Sequence, residues 1–273
     1  MSWRGIQAIA RKDMLIMRRS RPMFYPLIAV SVLMLVVLPL ATTLAAANTD
    51  APAGVMQQWD NFAERLPGNT LLVIDPGLTD AQRMILLGNV FLLAPFYLLI
   101  PLLVAMVIAA DTFAGEKERR TLEALLYTPM SDRELLLGKL LAAWIPAVAV
   151  SLAGFLLYSL IVNLAAWPVM GEVFFPTWMW VLLVFWVGPA VAGFGLGAMV
   201  LVSSKVDTLQ EATQLGGGVV LPFVMLIIGQ VTGVLYFSVA MVFLLGAGIW
   251  VLNGVLVTVA IRRFQREALL LNR

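Results

Sequence analysis

The sequence contains no cysteine and no histidine. These two absences exclude disulfides, thiolate chemistry, and metal or acid–base sites that depend on imidazole. Charge is also scarce, because only 12% of the 273 residues are charged while 61% are hydrophobic. Soluble globular domains have roughly 25% charged and 45 to 50% apolar residues. The composition is therefore that of an integral membrane protein.

Long stretches of the chain carry no charge at all. Five such intervals lie between charged residues, at 22–49, 84–110, 140–171, 173–204 and 212–261. Each exceeds the roughly 20 residues that a helix needs to cross a bilayer, and backbone groups in lipid must be satisfied within the span. The last interval is long enough for two spans joined by a turn near Gly229 to Ser238. We therefore predict an all-α membrane protein with six transmembrane helices.

The positive residues predict which side of the membrane each connection faces. Sixteen Lys and Arg lie in 1–21, 111–139, 203–211 and the tail 262–273, whereas the other connections hold only Arg65 and Arg83. By the positive-inside rule both termini are cytoplasmic and the loop 47–83 is outside. The sequence thus predicts a multi-pass protein of the cytoplasmic (inner) membrane.

The first 21 residues precede the membrane domain, 22–273. They place apolar residues at helical spacing opposite a cationic face, which predicts an amphipathic helix lying in the inner membrane interface. A disordered basic tail that only sets topology is the alternative. We expect the first span to be retained, because its apolar run is longer than the 7 to 15 residues of a signal-peptide core; cleavage near the small residues of "LAAAN" is the alternative.

The glycines of "GFGLGAM" invite two interpretations. A dinucleotide-binding loop would need a preceding strand, and here a membrane span precedes it. Gly193 and Gly197 stand four residues apart, which predicts a small-residue face that lets two helices approach closely.

Charge is concentrated in one stretch, "AGEKERRTLEALLYTPMSDRELLLGK", from Ala114 to Lys139. Its leucines fall on one helical face and opposite charges stand four residues apart at 116/120 and 119/123, so we predict a short helix over roughly 116–127. Pro129 ends this helix. Ser131 and Glu134 have the spacing of a capping box, which starts a second helix that continues into the third span. A solvated loop is the alternative, although it needs neither a leucine face nor a capped restart.

The run E-K-E-R-x-T-L-E-x-L-L-x-T-P-x-S-x-x-E-x-x-x-G-K resembles the cytoplasmic signature of the permeases of type 2 ATP-binding-cassette (ABC) exporters. The resemblance implies that this segment is a coupling helix seated on a separate ATPase subunit, and that the loop "SSKVDTLQEATQ" makes a smaller contact. Arg120 departs from the family pattern, where many members have glycine. The residues implied in ATPase coupling are Glu116, Lys117, Glu118, Arg119, Arg120, Thr121, Leu122, Glu123, Leu125, Leu126, Asp207 and Glu211.

The resemblance also implies the partners of the chain. Two permease subunits, identical or homologous, would assemble with two ATPase subunits in the lipid bilayer, with the substrate pathway between the permeases and no role for nucleic acid. ATP and Mg²⁺ would bind the ATPase, because Gly138-Lys139 lacks the other residues of a phosphate loop; we expect no catalytic residue, cofactor or metal in this chain. Candidate pathway residues, which alternatively hydrogen-bond between helices, are Asn89, Tyr97, Tyr158 and Gln230.

Three other functions compete with that of an exporter subunit. A secondary transporter usually keeps ionisable residues inside its spans, and an intramembrane metal or aspartyl enzyme needs such residues at membrane depth; the charge-free intervals contain none. A membrane scaffold or regulatory subunit of an ABC system would keep the coupling segment and transport nothing, and the sequence does not separate it from a transporter.

Overall fold

The computed structural model describes residues 21–48, 54, 57, 77–119 and 131–263. Within them, six helices are long and apolar enough to cross a membrane, and the elements are all helical. This confirms the predicted all-α fold. The predicted interfacial helix in 1–21, most of the loop 47–83, and nearly all of the tail 262–273 lie outside the described residues.

We number the six spanning helices α1 to α6. Three of them contain π-helical stretches, which divide them into segments. Helix α1 comprises Arg21–Val32, the π-helix Leu33–Val37, and Leu38–Asn48. Helix α2 comprises Asp80–Leu86, the π-helix Leu87–Leu92, Ala94–Tyr97, Leu99–Ala110, the π-helix Asp111–Gly115, and Glu116–Glu118. Helix α3 is Asp132–Met170, and α4 comprises Trp178–Leu182, the π-helix Leu183–Val187, and Gly188–Ser203. Helix α5 is Leu209–Val231 and α6 is Val239–Arg263.

The helix boundaries follow local signals in the sequence. The turn between α5 and α6 occupies 232–238, inside the predicted Gly229 to Ser238. Helix α2 starts at Asp80, within the predicted loop 47–83, because Thr79 forms a capping box with Gln82. Helices α2 and α3 also extend past their charge-free intervals and include charged residues. At about 1.5 Å per residue, the 39 residues of α3 extend well beyond a hydrocarbon core about 30 Å thick.

Helix α2 is the centre of the bundle. In its most apolar stretch 78% of the residues are buried, compared with 17% in α5 and in α6. It packs against α1, α3, α4 and α5, while α6 packs on the outside of α4. Alanines such as Ala94, Ala105 and Ala109 are fully buried, and their small side chains let the surrounding helices approach.

The contact between α4 and α6 uses the two glycines that the sequence indicated. A Cβ atom on Gly193 would lie 2.8 Å from Asn253 Nδ2, and one on Gly197 would lie 3.0 Å from Leu256 Cβ. Asn253 and Leu256 both belong to α6. The predicted close approach of two helices at Gly193 and Gly197 is therefore confirmed.

The two ends of the bundle carry different residues. At one end, Lys117 Nζ donates to the backbone oxygen of Val206 over 2.8 Å; we call this the charged end, and it comprises 111–119, 131–139 and 203–211. At the opposite end, Gln82 Nε2 donates to the backbone oxygen of Val169 over 3.1 Å, next to the connection 171–177. The charged end brings together two stretches that are far apart in the sequence.

Candidate functional site

The charged end of α2 carries the first residues of the predicted coupling segment. We call Asp111–Arg119 the coupling root. Its π-helical turn buries Thr112, Phe113, Ala114 and Gly115 in the bundle, while Glu118 and Arg119, which follow, are exposed. The coupling root is therefore packed into the protein on one face and available for polar contacts on the other.

Lys139 of α3 anchors the coupling root on its buried side. Its side chain is fully buried, and its Nζ donates to Glu116 Oε2 and, over 3.3 Å, to the backbone oxygen of Thr112. The Nζ also lies 5.7 Å from the centre of the Phe113 ring. Because a buried cation is tolerated only with a counter-charge and hydrogen bonds, this arrangement fixes α3 to the end of α2.

The connection between α4 and α5 at the charged end (203–211), which we call the second loop, is bound to the coupling root. Lys117 Nζ lies 2.6 Å from Asp207 Oδ1, and Glu118 Oε2 accepts the Leu209 N–H over 2.9 Å. Leu209 is the first residue of α5, where a carboxylate interacts favourably with the helix dipole. The hydrogen bond and the positive charge of Lys117 lower the pKa of Asp207. The start of α5 is therefore bound to the end of α2.

The remaining predicted residues of the second loop organise the loop itself. Glu211 Oε2 accepts the Asp207 N–H over 3.2 Å, and the Glu211 N–H donates to Thr208 Oγ1, which caps α5. The family resemblance implied an ATPase contact for Asp207 and Glu211. In the structure both make contacts within the chain, and their role towards a partner stays a prediction.

The second helix of the coupling segment, which continues as α3, begins as the sequence predicted. The Glu134 N–H donates to Ser131 Oγ over 3.4 Å, and the Ser131 N–H donates to Glu134 Oε2 over 3.1 Å. This is a capping box, and α3 continues from it through Lys139 to Met170. The predicted second helix and its start are confirmed.

The helix predicted over 116–127 is described only at its beginning. Glu116–Glu118 is helical, Glu116 pairs with Lys139, and Arg119 lies 2.9 Å from Asp111 Oδ1. Ion pairs four residues apart were predicted for Glu116 and Arg119, and their proposed partners lie outside the described residues. The leucine face also stays a prediction, because its residues lie outside the described part of the chain. The candidate coupling residues in that position are Arg120, Thr121, Leu122, Glu123, Leu125 and Leu126.

The four candidate pathway residues are buried in the other half of the bundle. Tyr158 donates to the backbone oxygen of Asn89 over 2.6 Å, and Asn89 Nδ2 donates to Thr43 Oγ1 over 3.1 Å. Tyr97 donates to the backbone oxygen of Ser151 over 2.9 Å, and Gln230 Nε2 to that of Phe91 over 3.4 Å. These contacts match the alternative role, hydrogen bonding between helices, and the pathway role stays a prediction.

This chain is similar to known proteins over most of its length in one comparison and over a short stretch in another. A family model described as "ABC-2 family transporter protein" matches residues 7–246. The chain belongs to the ABC-2 transporter family. Within it, 38 residues are 58% identical to the ABC transporter permease protein NatB of Bacillus subtilis (strain 168), a match that covers 14% of this chain and 10% of that protein. This ABC-2 chain is thus a multi-pass membrane protein, the transmembrane component of an ABC transporter.

Sequence reasoning missed two features of this ABC-2 protein. One is the buried pair of Lys139 and Glu116, whose only signal is a lysine seven residues into a capped helix and directly before a charge-free interval. The other is Trp180, which is fully buried, donates to the backbone oxygen of Val90 over 2.7 Å, and stacks on Tyr158 at 4.8 Å. No pattern of spacing marks Trp180 in the sequence.

The charged end of the ABC-2 protein anchors both flanks of residues 120–130. The coupling root and the capped start of α3 enclose residues 120–130, so both ends of that short segment are held by described contacts.

Proposed function

We propose that this chain is the permease subunit of an ATP-driven exporter and couples to a separate ATPase subunit through residues 114–139. The complex contains two permease and two ATPase subunits in the cytoplasmic membrane, with both termini of the permease in the cytoplasm. ATP and Mg²⁺ bind in the ATPase. The observation that carries the proposal is the charged segment between α2 and α3, with leucines at helical spacing in its sequence, in a chain of the ABC-2 family.

The attachment of this segment supports a transmitting role. Lys139 holds the coupling root on α3, and the capping box at Ser131 and Glu134 starts α3 firmly. Eleven residues, 120–130, separate Arg119 from Ser131. Because both flanks of this connection are anchored to helices, a partner that displaces it would pull on α2 and α3.

The exposed face of α5 is an argument for a contact with a second permease subunit. Near the charged end this face carries Gln214, Gly217 and Gly218, all exposed, and a Cβ atom on Gly217 or Gly218 would meet no other atom within 4 Å. Lipid tails offer no hydrogen bonds to a glutamine, whereas small and polar residues are typical of contacts between membrane helices. We therefore place α5 against a second permease, with the substrate pathway between the two subunits.

The test replaces Leu122 and Leu125 by Asp in the full complex. If these leucines contact the ATPase, the change buries unpaired charge, which costs several kcal/mol and weakens binding by more than about 100-fold. The variant should insert into the membrane and lose ATPase co-purification, or co-purify and lose substrate-stimulated ATP hydrolysis. A double variant that keeps both ATPase binding and transport contradicts the proposal.

The matched control is Val173→Asp. Val173 is an exposed apolar residue in the connection at the opposite end of the bundle, so the same kind of substitution is made away from the coupling segment. ATPase binding and hydrolysis should stay as in the native complex. A native complex that hydrolyses ATP and transports nothing would favour the scaffold function.

A further inference from the structure

Two consecutive residues of the coupling root bind the second loop of the charged end. Lys117 Nζ contacts both Asp207 Oδ1, at 2.6 Å, and the backbone oxygen of Val206, at 2.8 Å. Glu118 Oε2 accepts the Leu209 N–H at 2.9 Å. The three contacts thus lie on three of four successive residues, 206–209, immediately before and at the start of α5.

These contacts are stronger together than the exposure of the ion pair suggests. The Asp207 side chain is 85% exposed, and an ion pair in water is weak by itself. Val206, however, is buried against the hydrophobic core, and the Glu118 carboxylate stands at the positive end of the α5 dipole. The loop is therefore held by packing and by a helix-terminal hydrogen bond as well as by charge.

Of the six spanning helices, α5 and α6 have the smallest buried share in their most apolar stretch, 17% each. Its buried residues are few and widely spaced, at Ala212, Gly216, Phe223 and Gln230. Within this chain α5 is thus held at few buried positions, and the contact at its first residue adds one at the end that faces the coupling root.

We propose that Lys117 and Glu118 link the coupling segment directly to α5, so that movement of the segment reaches α5 as well as α2 and α3. The proposal rests on the proposed function, because it needs a partner that moves the segment. Lys139 has a positioning role in it: by holding Glu116, it keeps the root in the place from which the two following side chains reach the second loop. The two loops of the charged end then move as one unit.

The test follows α3 and α5 separately in the complete complex in lipid nanodiscs. The chain has no cysteine, so spin labels can be placed on introduced cysteines at exposed positions. One pair, at Arg133 and Val173, reports on the start of α3; the other, at Gln210 and Val173, reports on the start of α5. The labelled permease is diluted with unlabelled chain, and the distances are measured with and without ADP and vanadate trapped in the ATPase.

In the native chain, both distances should shift on trapping. In the Lys117→Met/Glu118→Ala variant, the shift at Arg133 should remain and the shift at Gln210 should be lost. Lys117→Arg, which keeps the cation, should behave as the native chain does. If the double variant does not assemble, the single variant Lys117→Met takes its place, and its Gln210 shift should be at least halved.

The matched control is Lys205→Met, which removes an exposed cation from the same loop; Lys205 has no ion pair within the described part of the chain. Both shifts should persist in it. An equal Gln210 shift in the native chain and in the variants that carry Lys117→Met overturns the link, and so does a native chain in which only Arg133 moves. A native complex in which neither distance changes overturns the proposed function as well, so the two failures are distinguishable.

Discussion

The two halves of the bundle are joined by different kinds of polar contact. At the charged end the links are ion pairs: Lys139 with Glu116, Lys117 with Asp207, and Arg119 with Asp111. In the other half they are neutral hydrogen bonds from buried rings to backbone oxygens: Tyr158 to Asn89, Trp180 to Val90, and Tyr97 to Ser151. The donors of the second group also pack on one another, with Trp180 in contact with both tyrosines.

The neutral half of the bundle resists separation of its helices. A neutral group inside the bundle loses its hydrogen bond without replacement when helices separate, because lipid offers none. At the charged end, the ends of α2, α3 and α5 are joined to one another by ion pairs and a hydrogen bond, so they can shift together without breaking these contacts. We therefore expect movement at the charged end to turn the helices about the half held by Trp180 and Tyr158.

The largest expected effect is all or none, and it concerns the sides of the membrane that the two ends face. Single cysteines at Arg133 and Val173, both exposed, should react with a membrane-impermeant thiol reagent from opposite sides in intact cells and inverted vesicles. Arg133 should react only in inverted vesicles, because its end carries the cations. The native chain, which lacks cysteine, is the control, and labelling of both positions from outside would contradict the orientation.

The next largest effect is expected at Lys139. Lys139→Met keeps the length of the side chain but removes the partner of Glu116, and breaking a buried pair from one side typically costs about 3 to 5 kcal/mol. The free energy of unfolding of the purified chain, measured in mixed micelles with SDS, should fall by that amount. Adding Glu116→Gln should recover part of the loss, and Lys205→Met should change little. A stability of Lys139→Met equal to that of Lys205→Met would show that the pair does not hold the charged end.

A smaller loss is expected in the neutral half. Tyr158→Phe keeps the ring on Trp180 and removes only the hydrogen bond to the Asn89 backbone, so the free energy of unfolding should fall by about 0.5 to 1.5 kcal/mol. The control is the same change at Tyr25, which is 66% exposed and should tolerate it. A loss at Tyr158 as large as that at Lys139 would remove the distinction between the two halves.

The smallest effect is a pH dependence at Asp207. Lys117 lowers the pKa of Asp207 from its ordinary 3.8 by a hydrogen bond and by its charge. A lowered pKa means that the folded state favours the carboxylate, so the contribution of the pair is complete above pH 3.8 and is lost as the pH falls through the lowered pKa. Carbon NMR of labelled aspartate, assigned with Asp207→Asn, should show the pKa rise towards 3.8 in Lys117→Met. An unchanged pKa would mean that the pair does not form.

Most of the fold was predictable because its signals are local. Six spans follow from charge-free lengths, the start of α3 follows from Ser131 and Glu134 three residues apart, and the contact of α4 follows from Gly193 and Gly197. The candidate site was predictable only in part. Glu116, Lys117 and Glu118 were singled out by their resemblance to a family signature, but their partners within the chain were not, because Lys139 and Asp207 are 23 and 90 positions from the residues they bind.

The sequence alone predicted six spanning helices, because hydrophobic length and the need for internal backbone hydrogen bonds in lipid favour a helix in each long charge-free stretch. It also determined where α3 begins and where α5 and α6 separate. Only the tertiary structure decided that Lys139 is buried rather than exposed, that Lys117 and Glu118 reach the start of α5, and that Asn89 and Tyr158 bond to each other within the bundle. The physical reason is that a polar side chain takes whichever partner the packing of helices brings within about 3 Å, and that packing depends on the shapes of all six helices together.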